Sequence, residues 1–184
     1  MERNDEVLWI AYREGDETAF STLLRRYKNP LFGYLMRMVK NRAVAEDLFQ
    51  ETFLRVHRKA HTFREGARFK GWLYTLATRI CIDHLRRTKI RPALLQAEEE
   101  MPERVDTKPD PLEQTAQSEL RTMVQDSIAT LPPKQRAVLV LAYYEGYTYL
   151  EVAQMMNCSL SSVKTHMSRA LKKLSVLLPE GARS

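Results

Sequence analysis

Glycine is scarce in these 184 residues, with only six, and alternation of β-branched with polar residues is nearly absent. An all-α protein is the expectation. No apolar run approaches the roughly 20 residues of a membrane span. The opening MERNDEVLW is charged from the start and lacks the apolar core of a secretory leader, so a soluble, cytoplasmic protein is expected. Two cysteines, Cys81 and Cys158, lie far apart in helix or turn patterns. They read as reduced, packed thiols rather than a disulfide. There is no P-loop, no dinucleotide glycine fingerprint and no nucleophile elbow. His57 and His61 stand four apart, a spacing that can hold a metal, but Arg58-Lys59-Ala60 between them supply no acid and repel a cation. Glu65 alone completes no site. No metal, no cofactor and no enzymatic chemistry are expected.

What the chain does have is charge in blocks. The net charge is +6. Residues 1–60 carry 11 Lys and Arg against 9 Asp and Glu, and residues 61–91 carry 8 against 2. Residues 92–127 reverse to 3 against 9, and residues 128–184 return to 7 against 3. Two basic blocks flanking an acidic one suit phosphate backbones. Solvated helix faces account for the same charge, and charge alone does not separate the two.

Apolar residues recur at helical spacing through most of the chain. Val7, Leu8, Ala11 and Tyr12 begin a stripe that Gly15-Asp16 interrupts and that Ala19, Phe20, Leu23, Leu24 and Tyr27 resume. Asn29-Pro30 is expected to end or bend this helix, after which Leu31, Tyr34, Leu35, Met38 and Val39 continue. Asn41 is a candidate N-cap. Beyond it Ala45, Leu48, Phe49, Thr52, Phe53 and Val56 form one stripe, which leaves Asp47, Gln50, Glu51 and Leu54 outside it. A basic loop over residues 61–71 leads into WLYTLATRICIDHLRR. Here Phe69, Trp72, Leu73, Leu76, Ala77, Ile80 and His84 share a face, and Thr75, Thr78, Arg79, Ile82 and Arg86 point elsewhere. Together these helices read as one bundle.

Arg91-Pro92 is expected to end that helix, and the acidic, proline-containing residues 98–111 read as a flexible linker. Periodicity returns with Ala116, Leu120, Met123, Val124, Ser127, Ile128 and Leu131. Pro132-Pro133 then opens a further helix that stops at Gly146. Thr148 to Glu151 fits a capping box, Asn157 tolerates the left-handed turn, and Ser159 can cap the helix that follows. Leu160, Val163, Met167, Ala170, Leu171 and Leu174 form its buried stripe. This is a helix-turn-helix. The outer face of its second helix carries Ser161, Ser162, Lys164, Thr165, Ser168, Arg169, Lys172 and Lys173. Lys164 and Thr165, near its start, are the candidates for base edges. Arg169, Lys172 and Lys173 are the candidates for phosphates.

The block AEDLFQETF, the block FKGWLY with the D.LRR that follows, and the helix-turn-helix at residues 148–177 together resemble regions 2 and 4 of the extracytoplasmic-function (ECF) sigma factors. These are short initiation factors of bacterial RNA polymerase. The resemblance covers about residues 5–88 and 115–178. It implies two all-α domains, at 1–90 and 115–184, on a linker at 91–114. Asp47, Gln50 and Glu51 are implied to dock on the clamp helices of core polymerase. The loop is implied to capture melted −10 DNA, with Phe63 offering ring surface, Arg64, Arg68 and Lys70 offering charge, and Thr75, Arg79 and Arg86 continuing the contact. The C-terminal domain is implied to read the −35 element and to touch the polymerase flap, and an anti-sigma factor is an implied partner. Two positions depart from the family. Arg79 stands where asparagine is common, so it contacts phosphate or pairs with Asp83 rather than reading a base edge with a donor and an acceptor. His166 stands where arginine is common, so one contact of the second helix is weakened or made pH-sensitive. A stand-alone helix-turn-helix regulator is the alternative function; the AEDLFQETF and FKGWLY blocks argue against it.

Overall fold

The computed structural model describes residues 4–64, 66–94 and 116–177. The expected linker at 98–111 lies outside them, as does Glu65. Eight α-helices carry the described residues, with no strand among them. They are α1 (Asp5–Arg13), α2 (Glu17–Val39), α3 (Arg42–Arg58), α4 (Phe69–Leu94), α5 (Ala116–Ala129), α6 (Pro133–Leu139), α7 (Tyr149–Met156) and α8 (Leu160–Leu177). A short 3₁₀ turn (Ala60–Thr62) follows α3, and a π-helical turn (Val140–Tyr144) continues α6.

Local chemistry sets most boundaries. Asp16 accepts from the Thr18 and Ala19 N–H groups at the start of α2, and Gly15 ahead of it sits at φ +107°. Asn41 caps α3 by accepting from the Val44 N–H at 3.0 Å. Neither proline ends its helix, although an end or a bend is the expectation at Asn29-Pro30 and an end at Arg91-Pro92. Helix α2 continues through Pro30, because Ala19, Leu23, Tyr27, Leu31, Tyr34, Leu35 and Met38 form one buried stripe across it. That burial outweighs the hydrogen bond a helical proline forfeits. Helix α4 likewise runs past Arg91-Pro92 to Leu94.

The first four helices close around an aromatic centre on α1. Trp9 is fully buried, with ring centroids 5.1 Å from Phe69, 5.2 Å from Trp72 and 5.7 Å from Phe63. Asp5 anchors the same helix to α2 through Arg26 and the Tyr27 hydroxyl. Of the expected stripe on α1, Leu8 is buried and Ala11 and Tyr12 pack half-buried against the core. Val7 is 49% exposed, and Leu8 and Trp9 are the buried pair of the helix.

The last four helices pack directly on the first four, through α4 against α6 and α7 and through α2 against α5 and α6. Helix α4 is therefore buried on more than one face. Thr78 and Ile82, expected to point away from the core, are buried. The Thr78 hydroxyl donates to the Tyr74 carbonyl at 2.6 Å and pairs with the Tyr34 hydroxyl at 2.7 Å. Cys81 is buried beside them, and burial pushes its thiol up to about 12.

Arg136 is the polar centre of this seam. It is 5% exposed. Its guanidinium donates to the Met38 carbonyl at the end of α2, to the Ala129 carbonyl at the end of α5, and to the Leu131 carbonyl at 3.1 Å. Helix C-termini carry partial negative charge and unpaired carbonyls, so two of them converging on one cation is favourable. At the rim, Lys40 pairs with Asp126, and Arg37 with Glu145 at 3.5 Å.

Arg136→Met keeps much of the volume and removes every donor. We expect it to lower the unfolding free energy by about 2–3 kcal/mol, and to split a single urea transition, followed by circular dichroism, into two. One transition at an unchanged midpoint would rule out a stabilising role for this clasp.

Candidate nucleic-acid interface

The loop between α3 and α4 turns its rings inward and its cations outward. The Thr62 N–H donates to the Lys59 carbonyl at 2.8 Å, and the Ala67 N–H to the Arg64 carbonyl at 3.1 Å. The second turn is completed by Gly66 at φ +80°, a conformation that favours glycine. Phe63 is only 8% exposed and meets Trp9 and Trp72 edge-on. This corrects the expectation that Phe63 offers ring surface to a base. Its ring anchors the loop, and the aromatic residues of α1 and α4 outcompete solvent for it. Arg64, Arg68 and Lys70 are exposed.

Along α4, Arg79 and Arg86 are exposed, whereas Thr75 is half-buried with its hydroxyl committed to the Gly71 carbonyl at 2.8 Å. Among the ion pairs of the described residues, none joins Arg79 to Asp83. The start of α4 lies close to α7. Lys70 Nζ stands 5.6 Å from the Tyr74 ring centroid and 5.5 Å from that of Tyr147.

On α3, Asp47 and Gln50 are exposed and Glu51 is partly exposed, accepting from Arg55 Nε at 2.7 Å. Leu54 continues the same stripe and is 50% exposed. His57, considered as a metal ligand, is paired through Nδ1 with the Tyr12 hydroxyl. No group of three or more potential metal ligands occurs among the described residues.

The helix-turn-helix forms as its sequence dictates. Thr148 and Glu151 make the reciprocal capping box, Asn157 takes φ +50°, and Ser159 Oγ accepts from the Ser162 N–H at 3.1 Å. Val163, Met167, Ala170 and Leu174 are buried beneath α8. Leu171, expected in that stripe, is 53% exposed. Leu160 is also exposed. Ser161, Lys164, Thr165, Ser168, Arg169 and Lys172 face solvent together. The Thr165 hydroxyl donates to the Ser161 carbonyl at 2.9 Å, and Ser162 pairs with Ser159. Lys173 is exposed too, but its Nζ donates to the Thr130 carbonyl at 2.8 Å and so binds α8 to the end of α5. His166 is half-buried with Nδ1 lacking a partner. Its burial, together with the nearby Lys134 and Arg169, holds its pKa below the ordinary value of 6.5. Lys134 on α6 is thus a further cation beside this face, and its position in the sequence gives no hint of that.

Sigma-70 region 2 matches residues 23–90 and Sigma-70 region 4 matches residues 121–174. The ECF RNA polymerase sigma factor SigM of Mycobacterium tuberculosis is 33% identical over 178 residues, spanning 96% of this chain and 86% of SigM. The RNA polymerase sigma factor CarQ of Myxococcus xanthus is 32% identical over 169 residues, spanning 92% and 94%. The fold is shared with the sigma factor RpoE of Bartonella quintana, solved in complex with the anti-sigma factor NepR. The TM-score is 0.66 over 86% of this chain and 95% of that one, at 22% identity. CnrH, solved with the cytosolic domain of CnrY, also gives 0.66, over 94% and 96% at 20% identity.

The depressed pKa of His166 fixes the sign of a pH effect. The folded state holds it neutral, and the unfolded chain takes up the proton near 6.5. Its contribution to stability is complete above that value and is lost as pH falls through the lower folded value. We expect the thermal midpoint of the wild type to drop between about pH 7 and about pH 5 by more than that of His166→Gln. Parallel pH profiles for the two would refute this.

Proposed function

This chain belongs to the ECF RNA polymerase sigma factors, and on that premise we propose how its surfaces divide the work of promoter recognition. The protein is a promoter-recognising initiation factor. Asp47, Gln50, Glu51 and Leu54 on α3 dock on the clamp of core polymerase, the polar residues setting orientation and Leu54 supplying apolar area. Arg64, Arg68 and Lys70 hold the phosphates of the separated −10 strand, with Arg79 and Arg86 extending the track along α4. Thr75, bonded to its own helix, adds a methyl surface rather than a free hydroxyl.

Helix α8 enters the major groove at the −35 element. Lys164, Thr165 and Ser161 near its start reach base edges, and Arg169, Lys172 and Ser168 meet the backbone. Residues 1–90 and 115–184 act as the two recognition domains joined through 91–114, and the C-terminal domain also touches the polymerase flap. No residue acts as a catalyst. Strand separation draws on binding energy, and polymerase supplies the chemistry. The protein works with polymerase in the cytoplasm, and an anti-sigma factor covers these surfaces when transcription is not needed. The observation that supports this reading best is the exposed cationic face of α8 on a correctly capped helix-turn-helix, in one chain with a second cationic loop held out by buried rings.

Run-off transcription tests it. Purified protein, sigma-free bacterial core polymerase and promoter fragments from the host should yield defined starts. Asp47→Ala with Gln50→Ala should reduce them at least about tenfold by weakening core binding, since contacts at an interface centre are worth ~1–2 kcal/mol each. Lys172→Ala should weaken −35 binding and lower the salt slope by about one. No starts, with specific duplex binding by the protein alone, would instead identify a stand-alone regulator.

A further inference from the structure

The region 2 match begins at residue 23, so α1 lies ahead of it, and none of the roles above falls on that helix. Yet α1 reaches the cationic loop twice. Trp9 lies under Phe63, Phe69 and Trp72. Glu6 reaches further: its Oε1 accepts from the Phe69 N–H at 3.0 Å, across 63 residues of sequence.

Phe69 is the first residue of α4. A helix start exposes unpaired N–H groups and partial positive charge, and usually finds its acceptor in the side chain just before it. Here that residue is Arg68, whose side chain has donors only. The first turn of α4 contains no acidic residue and does contain Lys70. Two cations thus crowd the positive end of a helix, an arrangement that is unfavourable by itself. Glu6 accepts from the first of these N–H groups, that of Phe69, and adds a negative charge beside them. It is held ready to do so, because its own N–H donates to Asn4 Oδ1 at 2.6 Å, and the adjacent Asp5 is tied to Arg26 and Tyr27 on α2.

We propose that Glu6 is a positioning residue for single-strand capture: by capping α4 from another helix, it fixes the place from which Arg68 and Lys70 meet the separated strand. Cations held in place before binding lose less freedom on binding than cations on a frayed helix end. The proposal rests on the reading of Arg64, Arg68 and Lys70 as strand contacts.

The test uses the full chain reconstituted with core polymerase on a promoter mapped by run-off transcription, with permanganate reactivity of −10 thymines as the measure of opening. Glu6→Ala should lower the opened fraction about fivefold, the size of a lost cap. Glu6→Gln keeps a carbonyl acceptor of the same reach and should restore opening to within about twofold of the wild type. Core affinity and −35 duplex affinity should be unchanged in both. An Arg64→Ala, Arg68→Ala, Lys70→Ala triple variant is the reference. If the reference loses opening and Glu6→Ala does not, Glu6 has no positioning role. If the reference itself opens normally, the strand-contact reading fails and takes this proposal with it. Equal losses of opening, core affinity and duplex affinity in Glu6→Ala, or a Glu6→Gln variant as defective as Glu6→Ala, would also overturn it.

Discussion

A guanidinium enclosed by carbonyls, with no carboxylate among its hydrogen-bond partners, sets the relation between the two halves of this molecule. Burying Arg136 costs solvation that only good geometry can offset. The planar fork of arginine meets the need, because its donors reach the ends of α2 and α5 at once; the compact ammonium of lysine would not span them. Of the pairs at the rim, Lys40–Asp126 is exposed and contributes less, since water and salt screen it, whereas Arg37–Glu145 is half-buried. With that clasp in place α4 is enclosed, and Thr78 and Ile82 become core residues.

Packing also decides what each surface can be. Beside two of the exposed cations an apolar or aromatic neighbour on the same segment is buried: Phe63 next to Arg64, and Met167 and Ala170 next to Arg169. These cations are thereby held next to packed side chains. Tyr147, just ahead of α7, stands beside Lys70, so the start of α4 borders both halves.

Features decided within a few residues were legible in the sequence. The Asn41 cap, the Thr148–Glu151 box, the left-handed Asn157 and the Ser159 cap all depend on a side chain and a backbone group of the same turn. Features decided across the fold were not. Nothing local says that Phe63 turns inward, that one buried stripe carries α2 through Pro30, or that α4 is covered on a second side. Leu171 shows the reverse case: periodicity puts it in the stripe, but it is 53% exposed. The exposed sides of α3 and α8 were legible because amphipathic spacing defines what is left outside as surely as what is buried.

The aromatic centre on α1 has an optical consequence. Trp9 and Trp72 are the two tryptophans of the chain, and their rings lie 5.2 Å apart in one cluster. Residues 116–177 contain tyrosines but no tryptophan. All indole emission therefore originates beneath the cationic loop. The molecule carries its own fluorescent gauge of whether that loop is seated, and the gauge stays dark to events confined to α8.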